Sequence, residues 1–85
     1  MFNVGDVVYV KDYGEIEKTF EPRGSTSTRG VYFISEMREF CGKQFVIMAE
    51  AETRTYVFAY NCEGNFYIWA EEWLRPAVKS PNEIF

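Results

Sequence analysis

The sequence predicts one small, mostly β domain, and three observations lead to this fold class. The chain has 85 residues, a length that suits one compact unit. Hydrophobic residues make up 47% of the chain and aromatic residues 19%, so large rings can fill a core without disulfide or metal cross-links. Short runs rich in β-branched and aromatic residues recur between turn residues, beginning with VVYV at 7–10.

A long polar segment follows this first predicted strand. Residues 11–30 contain three glycines, one proline and the hydroxyl run STST. They predict a long loop, with a short irregular hairpin around Ile16 and Phe20. A loop this long in a small domain is either mobile or in contact with a ligand, and length alone does not decide between the two.

A strand, a short helix and another strand are predicted next. VYFI at 31–34 has the composition of a strand. Residues 35–41 form the predicted helix, with Ser35 as its N-cap and Gly42 in the left-handed conformation that ends it. KQFVIMA at 43–49 is the following strand.

The clearest predicted hairpin joins strands at 53–60 and 65–69. Its connection has Asn61 at the first position and Gly64 at the fourth, which favours a type I turn closed by a glycine bulge. A tighter turn at 63–64 is the alternative. It would shift the pairing by one residue and exchange the partners.

This pairing decides which side chains are buried. The bulged turn places Tyr60 opposite Phe66 and Phe58 opposite Ile68, so that these four face the core with Tyr56. The opposite face would then expose an apolar patch, which is typical of a protein interface unless the helix, the long loop or the closing strands cover it. The members of this predicted patch are Val46, Met48, Val57, Tyr67 and Trp69.

The predicted domain closes with one helical turn at 71–74 and a last short strand that includes Val78. Pro76 ends the turn because proline cannot continue a helix. The polar stretch that follows contains a further proline and is expected to be a loose tail. The predicted boundaries are a domain at 1–78 and a tail at 79–85.

The charge and hydropathy of the chain limit its partners. The net charge of −4 argues against general binding to nucleic acid and against docking on an anionic membrane. No apolar run is long enough for a spanning helix, and the first residues lack the pattern of a signal peptide, so a cytoplasmic location is expected. In that reducing compartment Cys41 and Cys62 are expected to be free thiols, with a disulfide between them as the alternative.

No catalytic, cofactor or metal site is predicted. The chain has no histidine and two isolated cysteines, and its glycines form no phosphate-binding loop. Three carboxylate pairs suggest a paired-acid or cation site, but they are better interpreted as solvated turns and helix starts. These pairs are Glu15 with Glu17, Glu50 with Glu52, and Glu71 with Glu72. The sequence therefore predicts a protein that is not an enzyme.

Three segments carry a resemblance to a known family. They are VGDVVYVKD at 4–12, SEMREFCGKQFVI at 35–47 and NFYIWAEEWLRP at 65–76. Together they resemble small SH3-like β-barrel proteins found in phages and prophages of low-GC Gram-positive bacteria. The resemblance implies a barrel of about five strands with a long first loop and one short helix. It also implies a binding module and not a catalyst, although a fold alone assigns no function.

The resemblance also indicates where a partner would bind. In SH3-like folds a long loop beside a terminal helical turn commonly forms the binding groove. The candidates there are Tyr13, Phe20, Arg23, Arg29 and Trp73. Tyr67 and Trp69 are candidates on the outer hairpin face. For Trp73 the alternative is a place in the core.

Three functions are consistent with these residues. The leading hypothesis is a protein-binding module, such as a phage-encoded accessory or inhibitor protein that acts on a host or viral protein. The second is a single-stranded nucleic-acid-binding barrel that stacks bases on Phe20, Tyr67 and Trp69 and touches phosphates through arginines. The third is a homo-oligomeric structural or assembly component, for example a homodimer formed through the outer sheet face.

Overall fold

Short strands dominate the computed structural model of the protein, which describes residues 2–51 and 58–77. Over these residues the structure contains one short α-helix, α1 (Tyr13–Glu17), and two 3₁₀ helices, Ser35–Phe40 and Glu71–Trp73. The strands are β1 (Val7–Val10), β2 (Ser27–Thr28), β3 (Val31–Tyr32), β4 (Gln44–Glu50), β5 (Ala59–Cys62), β6 (Ile68–Ala70) and β7 (Leu74–Pro76). The prediction of a small, mostly β fold is confirmed.

Five of the strands form one antiparallel sheet in the order β6-β5-β4-β1-β7, and β2 and β3 form a separate hairpin beside β6. β1 lies between β4 and the last strand, so the two ends of the described chain meet in its ladders. The five-stranded sheet has the predicted strand number. Within the described residues no ladder joins β6 to β7 and closes the sheet on itself.

The segment 11–30 is more ordered than the predicted loop. The expected irregular hairpin around Ile16 and Phe20 is wrong: Ile16 lies in α1 and both side chains are buried. A helix of five residues is too short to be stable alone. α1 is therefore held in place by the apolar side chains that it and the following turn bury in the core.

A tight turn joins β2 to β3. Thr28 pairs with Val31, which leaves Arg29 and Gly30 as the two turn residues, with φ of 51° and 89°. Positive φ at both positions is the geometry of a type I′ turn, whose twist matches that of antiparallel strands. Arg29 is an uncommon residue in this left-handed region, where asparagine and glycine are preferred.

The first 3₁₀ helix begins without the predicted cap. Ile34 occupies the N-cap position, and the Ser35 hydroxyl contacts the Glu36 carboxylate instead of a backbone N–H. The other end follows the prediction, because Gly42 has a φ of 85°. The closing helical turn is also present, but the strand after it begins at Leu74, earlier than predicted. The expectations for Tyr56, Val57, Val78 and the tail at 79–85 lie outside the described residues.

The predicted pairing of the main hairpin is wrong. In the structure Tyr60 lies opposite Trp69, and Asn61 lies opposite Ile68. Asn61 does not begin the turn, because β5 continues through it and pairs with β4. The turn falls at 63–64, as in the alternative, but the further residues 65–67 precede β6.

This difference exchanges the two faces of the second strand of the hairpin, whereas Tyr60 of the first strand faces the core as predicted. The observed pairing is three residues away from the prediction, an odd number, and side chains alternate along a strand. Trp69 therefore faces the core with Tyr60, and both are almost fully buried. Phe58, predicted to be in the core, is 41% exposed.

Trp69 is the centre of the aromatic core. Its side chain has no exposed surface. Five rings surround it with centroid separations between 6.1 and 6.5 Å, most of them edge to face, which is a favourable arrangement for aromatic pairs. These rings belong to Phe33, Phe40, Phe45, Tyr67 and Trp73.

A chain of hydrogen bonds fastens the segment 11–30 to the second 3₁₀ helix. The Trp73 Nε1–H donates to Thr28 Oγ1 at 2.9 Å, and Thr28 Oγ1 lies 2.6 Å from Thr19 Oγ1. The Thr19 hydroxyl donates to the Ile16 carbonyl oxygen at 2.6 Å, so its oxygen is free to accept from Thr28. The chain satisfies the buried indole N–H and ends on the α1 backbone.

No helix in the described part of the chain is long and apolar enough to cross a membrane. The longest helical segment there has six residues.

Replacing Thr28 by valine tests the hydrogen-bond chain. Thr28→Val keeps the shape of the side chain but leaves the Trp73 Nε1–H with only Thr19 Oγ1, at 3.2 Å. We expect a loss of about 1–3 kcal/mol in the free energy of unfolding, because a buried donor loses its best acceptor. Urea denaturation followed by tryptophan fluorescence measures it.

Thr26→Val is the matched control, because the Thr26 side chain is exposed on the same segment. Its free energy of unfolding should stay within about 0.5 kcal/mol of wild type. Equal losses in the two variants would show that the hydrogen-bond chain does not stabilise the fold.

Candidate functional site

The structure divides the predicted binding residues between the core and the surface. Trp69 and Trp73 are completely buried, and Phe20 is nearly so. The prediction that Trp69 lies on the outer face is therefore wrong, and Trp73 takes the alternative place in the core. Neither indole is accessible to a partner of the folded domain.

Tyr13, Phe20 and Arg23 do come together, in a groove along the segment 11–30. Tyr13 packs on Phe20 and Phe33, and the Arg38 guanidinium lies 4.0 Å from the centre of its ring. The other charged residues of the groove are Glu17, Lys18 and Glu21. Charges of both signs alternate around this groove, so it offers no single charge to a ligand.

Arg29 lies apart from that groove, at the tip of the β2–β3 hairpin. Its Nε is 3.2 Å from a carboxylate oxygen of Glu72, in a pair whose side chains are 59% and 35% exposed. Exposed ion pairs contribute about 0–1 kcal/mol. The predicted grouping of Arg29 with Tyr13, Phe20 and Arg23 is not observed among the residues that line the groove.

An apolar surface lies on the side of the five-stranded sheet that faces away from the aromatic core. We call it the outer sheet face. Val7 pairs with Val46 there, and Asn61 pairs with Ile68. Its paired members are Val7, Val46, Ala49, Asn61 and Ile68, and we add Met48, at the bulge between Ile47 and Ala49, and Phe66, two residues before Ile68. Met48 is 51% exposed, Ile68 41% and Phe66 85%.

Only part of the predicted patch belongs to this surface. Met48 is exposed and Val46 is half-buried, as members of an outer face can be. Tyr67 is half-buried in the aromatic core, and Val57 lies outside the described residues. Phe66 and Ile68 replace Tyr67 and Trp69 because the pairing shift exchanges odd and even positions.

The 63–67 loop holds Phe66 at the surface. Asn65 Oδ1 accepts two hydrogen bonds of 3.0 Å, from the backbone N–H of Tyr67 and from the Trp69 Nε1–H. The Phe66 ring lies 4.9 Å from the Tyr67 ring, which in turn packs edge-on against Trp69. An exposed phenylalanine is thus carried by a loop anchored in the core.

The two cysteine thiols are separate and unreactive. Burial raises the pKa of the Cys62 thiol to about 11. Burial also raises the pKa of Cys41, and the charge of Asp12 adds to this while Arg38 opposes it. Both thiols are protonated at neutral pH, whereas a nucleophilic cysteine needs its thiolate. The described residues contain no group of three potential metal ligands.

Comparison with known proteins identifies no relative. No family model, no curated protein and no solved structure matches the chain. The resemblance to SH3-like phage proteins stays a prediction from the three sequence segments. The outer sheet face and the groove are therefore the candidate binding sites of the described residues.

Alanine substitutions along residues 66–69 test the observed pairing. Trp69→Ala should cost about 3–5 kcal/mol or prevent folding, because it removes the ring at the centre of the core. Phe66→Ala should change the free energy of unfolding by no more than about 0.5 kcal/mol. Phe58→Ala should cost less than Trp69→Ala. Chemical denaturation of the three variants gives the order.

The opposite order would restore the pairing predicted from the turn. A tolerated Trp69→Ala together with a severely destabilised Phe58→Ala is the outcome that contradicts the structure.

The raised pKa of Cys62 predicts a loss of stability at alkaline pH. An unfolded thiol ionises near pH 9.0, whereas the native thiol keeps its proton to about pH 11. The protonated Cys62 thiol therefore makes its full contribution to the free energy of unfolding below pH 9. Between pH 9 and 11 only the unfolded state releases this proton, so the free energy of unfolding falls, by at most about 1.4 kcal/mol per pH unit. Denaturation of wild type and Cys62→Ala across this range measures the difference, and equal slopes would contradict the assignment.

Proposed function

We propose that the protein is a non-enzymatic module that binds another protein through its outer sheet face. The observation that carries the proposal is the exposure of three large apolar side chains of this face, Phe66, Ile68 and Met48, whereas most other tryptophan and phenylalanine rings of the described residues build the core. Contiguous exposed apolar side chains on a small protein commonly mark an interaction site, and aromatic residues are frequent anchors of binding energy.

The support of Phe66 by the 63–67 loop favours binding. Ordering a flexible loop on association costs free energy, which lowers affinity. Here the loop is already held by the two hydrogen bonds to Asn65 Oδ1 and by the contact between the Phe66 and Tyr67 rings. Phe66 can therefore contribute its apolar surface with little additional loss of entropy.

The proposal includes the more specific role suggested by the family resemblance. A phage-encoded accessory or inhibitor protein acts on a host or viral protein in the cytoplasm, and an exposed apolar face suits that role. Two features support the resemblance to SH3-like barrels. The first strand lies between two others of a five-stranded antiparallel sheet, and a 3₁₀ turn directly precedes the last described strand.

The nucleic-acid hypothesis loses support from the position of its residues. Phe20 and Trp69, two of the three proposed stacking rings, are buried. Arg29 is paired with Glu72 and lies away from the groove that contains Arg23. The net charge of −4 is also unfavourable for binding to phosphates.

Affinity capture with a matched pair of variants tests the proposal. Tagged wild type and the double variant Phe66→Ser, Ile68→Ser are incubated with a lysate of a low-GC Gram-positive bacterium, and eluted proteins and nucleic acids are identified. We expect proteins that the wild type retains and the double variant loses. The control is Tyr32→Ser, which removes a side chain that is 70% exposed on β3.

Folding of each variant is checked by thermal melting. Retention of every protein by the folded double variant would refute binding through the outer sheet face. Specific enrichment of nucleic acid would favour the second hypothesis instead.

A further inference from the structure

We infer that the outer sheet face accepts an amphipathic α-helix with a basic polar side, presented by the partner protein. This inference rests on the proposed function and adds the chemical class of the partner. Three properties of the surface support it: its width, its charge, and its poor fit to a second copy of the chain.

The dimensions of the surface fit a short helix. The residues of this face come from β6, β5, β4 and β1, four strands in sheet order. At about 4.8 Å per strand this is roughly 14 Å across. A helix is about 10 Å wide and rises 1.5 Å per residue, so two to three turns cover this distance. Residues at spacings of three and four on one side of such a helix would meet Met48, Phe66 and Ile68.

An exposed acid at this surface, Glu63, favours a helix that carries positive charge. Glu63 lies next to Val46, because its backbone N–H donates to the Val46 carbonyl oxygen at 2.9 Å. No ion pair joins the Glu63 carboxylate to another residue in the described part of the chain. The whole chain carries a net charge of −4. Lysine or arginine beside the apolar side of the helix would complement the Glu63 carboxylate and the negative net charge of the chain.

A second copy of the chain fits this surface less well. A stable dimer buries about 800 Å² on each partner, several times the apolar area of a surface roughly 14 Å across. A symmetric dimer also brings identical patches together. Such an interface would contain two Glu63 carboxylates, and like charges in one interface oppose association.

The test uses a defined probe in place of the unknown partner. The probe is a synthetic peptide of about 14 residues containing only leucine and lysine, with the leucines at helical spacing, roughly 20 Å long as a helix. The comparison peptide has glutamate in place of every lysine. Binding to the full chain is measured by calorimetry, and the site is mapped by amide chemical shifts.

We expect the leucine–lysine peptide to bind and to shift the amides of the outer sheet face, and the leucine–glutamate peptide not to bind. Glu63→Gln should weaken binding about twofold to fivefold, as the loss of one exposed ion pair does. The control is Glu36→Gln, which removes an exposed acid on the first 3₁₀ helix and should leave binding unchanged. Both substitutions replace exposed side chains, so both variants should fold.

Any one of the following results would overturn the inference. The first is equal binding of the two peptides. The second is a set of shifts confined to the groove at 13–26. The third is a wild-type dimer in sedimentation that Ile68→Lys dissociates, which would make the second copy the occupant. If the leucine–lysine peptide fails to bind while the double variant still loses its captured proteins, the inference fails and the proposed function stands.

Discussion

The burial of one indole N–H, that of Trp73, is the constraint on which much of the described structure depends. Leaving this donor without an acceptor inside the protein would cost about 1–3 kcal/mol. Its acceptors, Thr28 and Thr19, both lie in the polar segment 11–30, so that segment has to fold over the second 3₁₀ helix. The same arrangement brings Phe33 within 5.2 Å of the Trp73 ring and sets the β2–β3 hairpin beside β6.

Local sequence signals predict where the strands and helical turns lie better than they predict which strands pair and in which register. The strands at β1 and β4, the left-handed Gly42 and the closing helical turn follow from composition and turn chemistry within a few residues. The main hairpin does not, because Asn61 has the local signature of a turn but pairs with Ala49 in β4. Contacts distant in sequence, above all those that bury Trp69, outweigh that signature.

The sequence predicts an apolar outer face of the hairpin, exposed unless other elements cover it. The wrong phase assigned Tyr67 and Trp69 to that face instead of Phe66 and Ile68. The sequence predicts a long loop for the segment that contains the STST run, and nothing within a few residues of Thr28 indicates that its hydroxyl accepts a buried hydrogen bond. Its partner, Trp73, is 45 residues away.

More exposed and more buried side chains alternate from Phe66 to Trp69. Evolutionary selection therefore acts differently on neighbouring residues of this segment. Substitutions at the odd positions damage packing and are removed because small domains have little stability to lose. Substitutions at the even positions change the outer sheet face with little effect on folding. Such a domain can change its outer sheet face during evolution and keep its core. Descendants would therefore share the aromatic framework and differ in the side chains of that face.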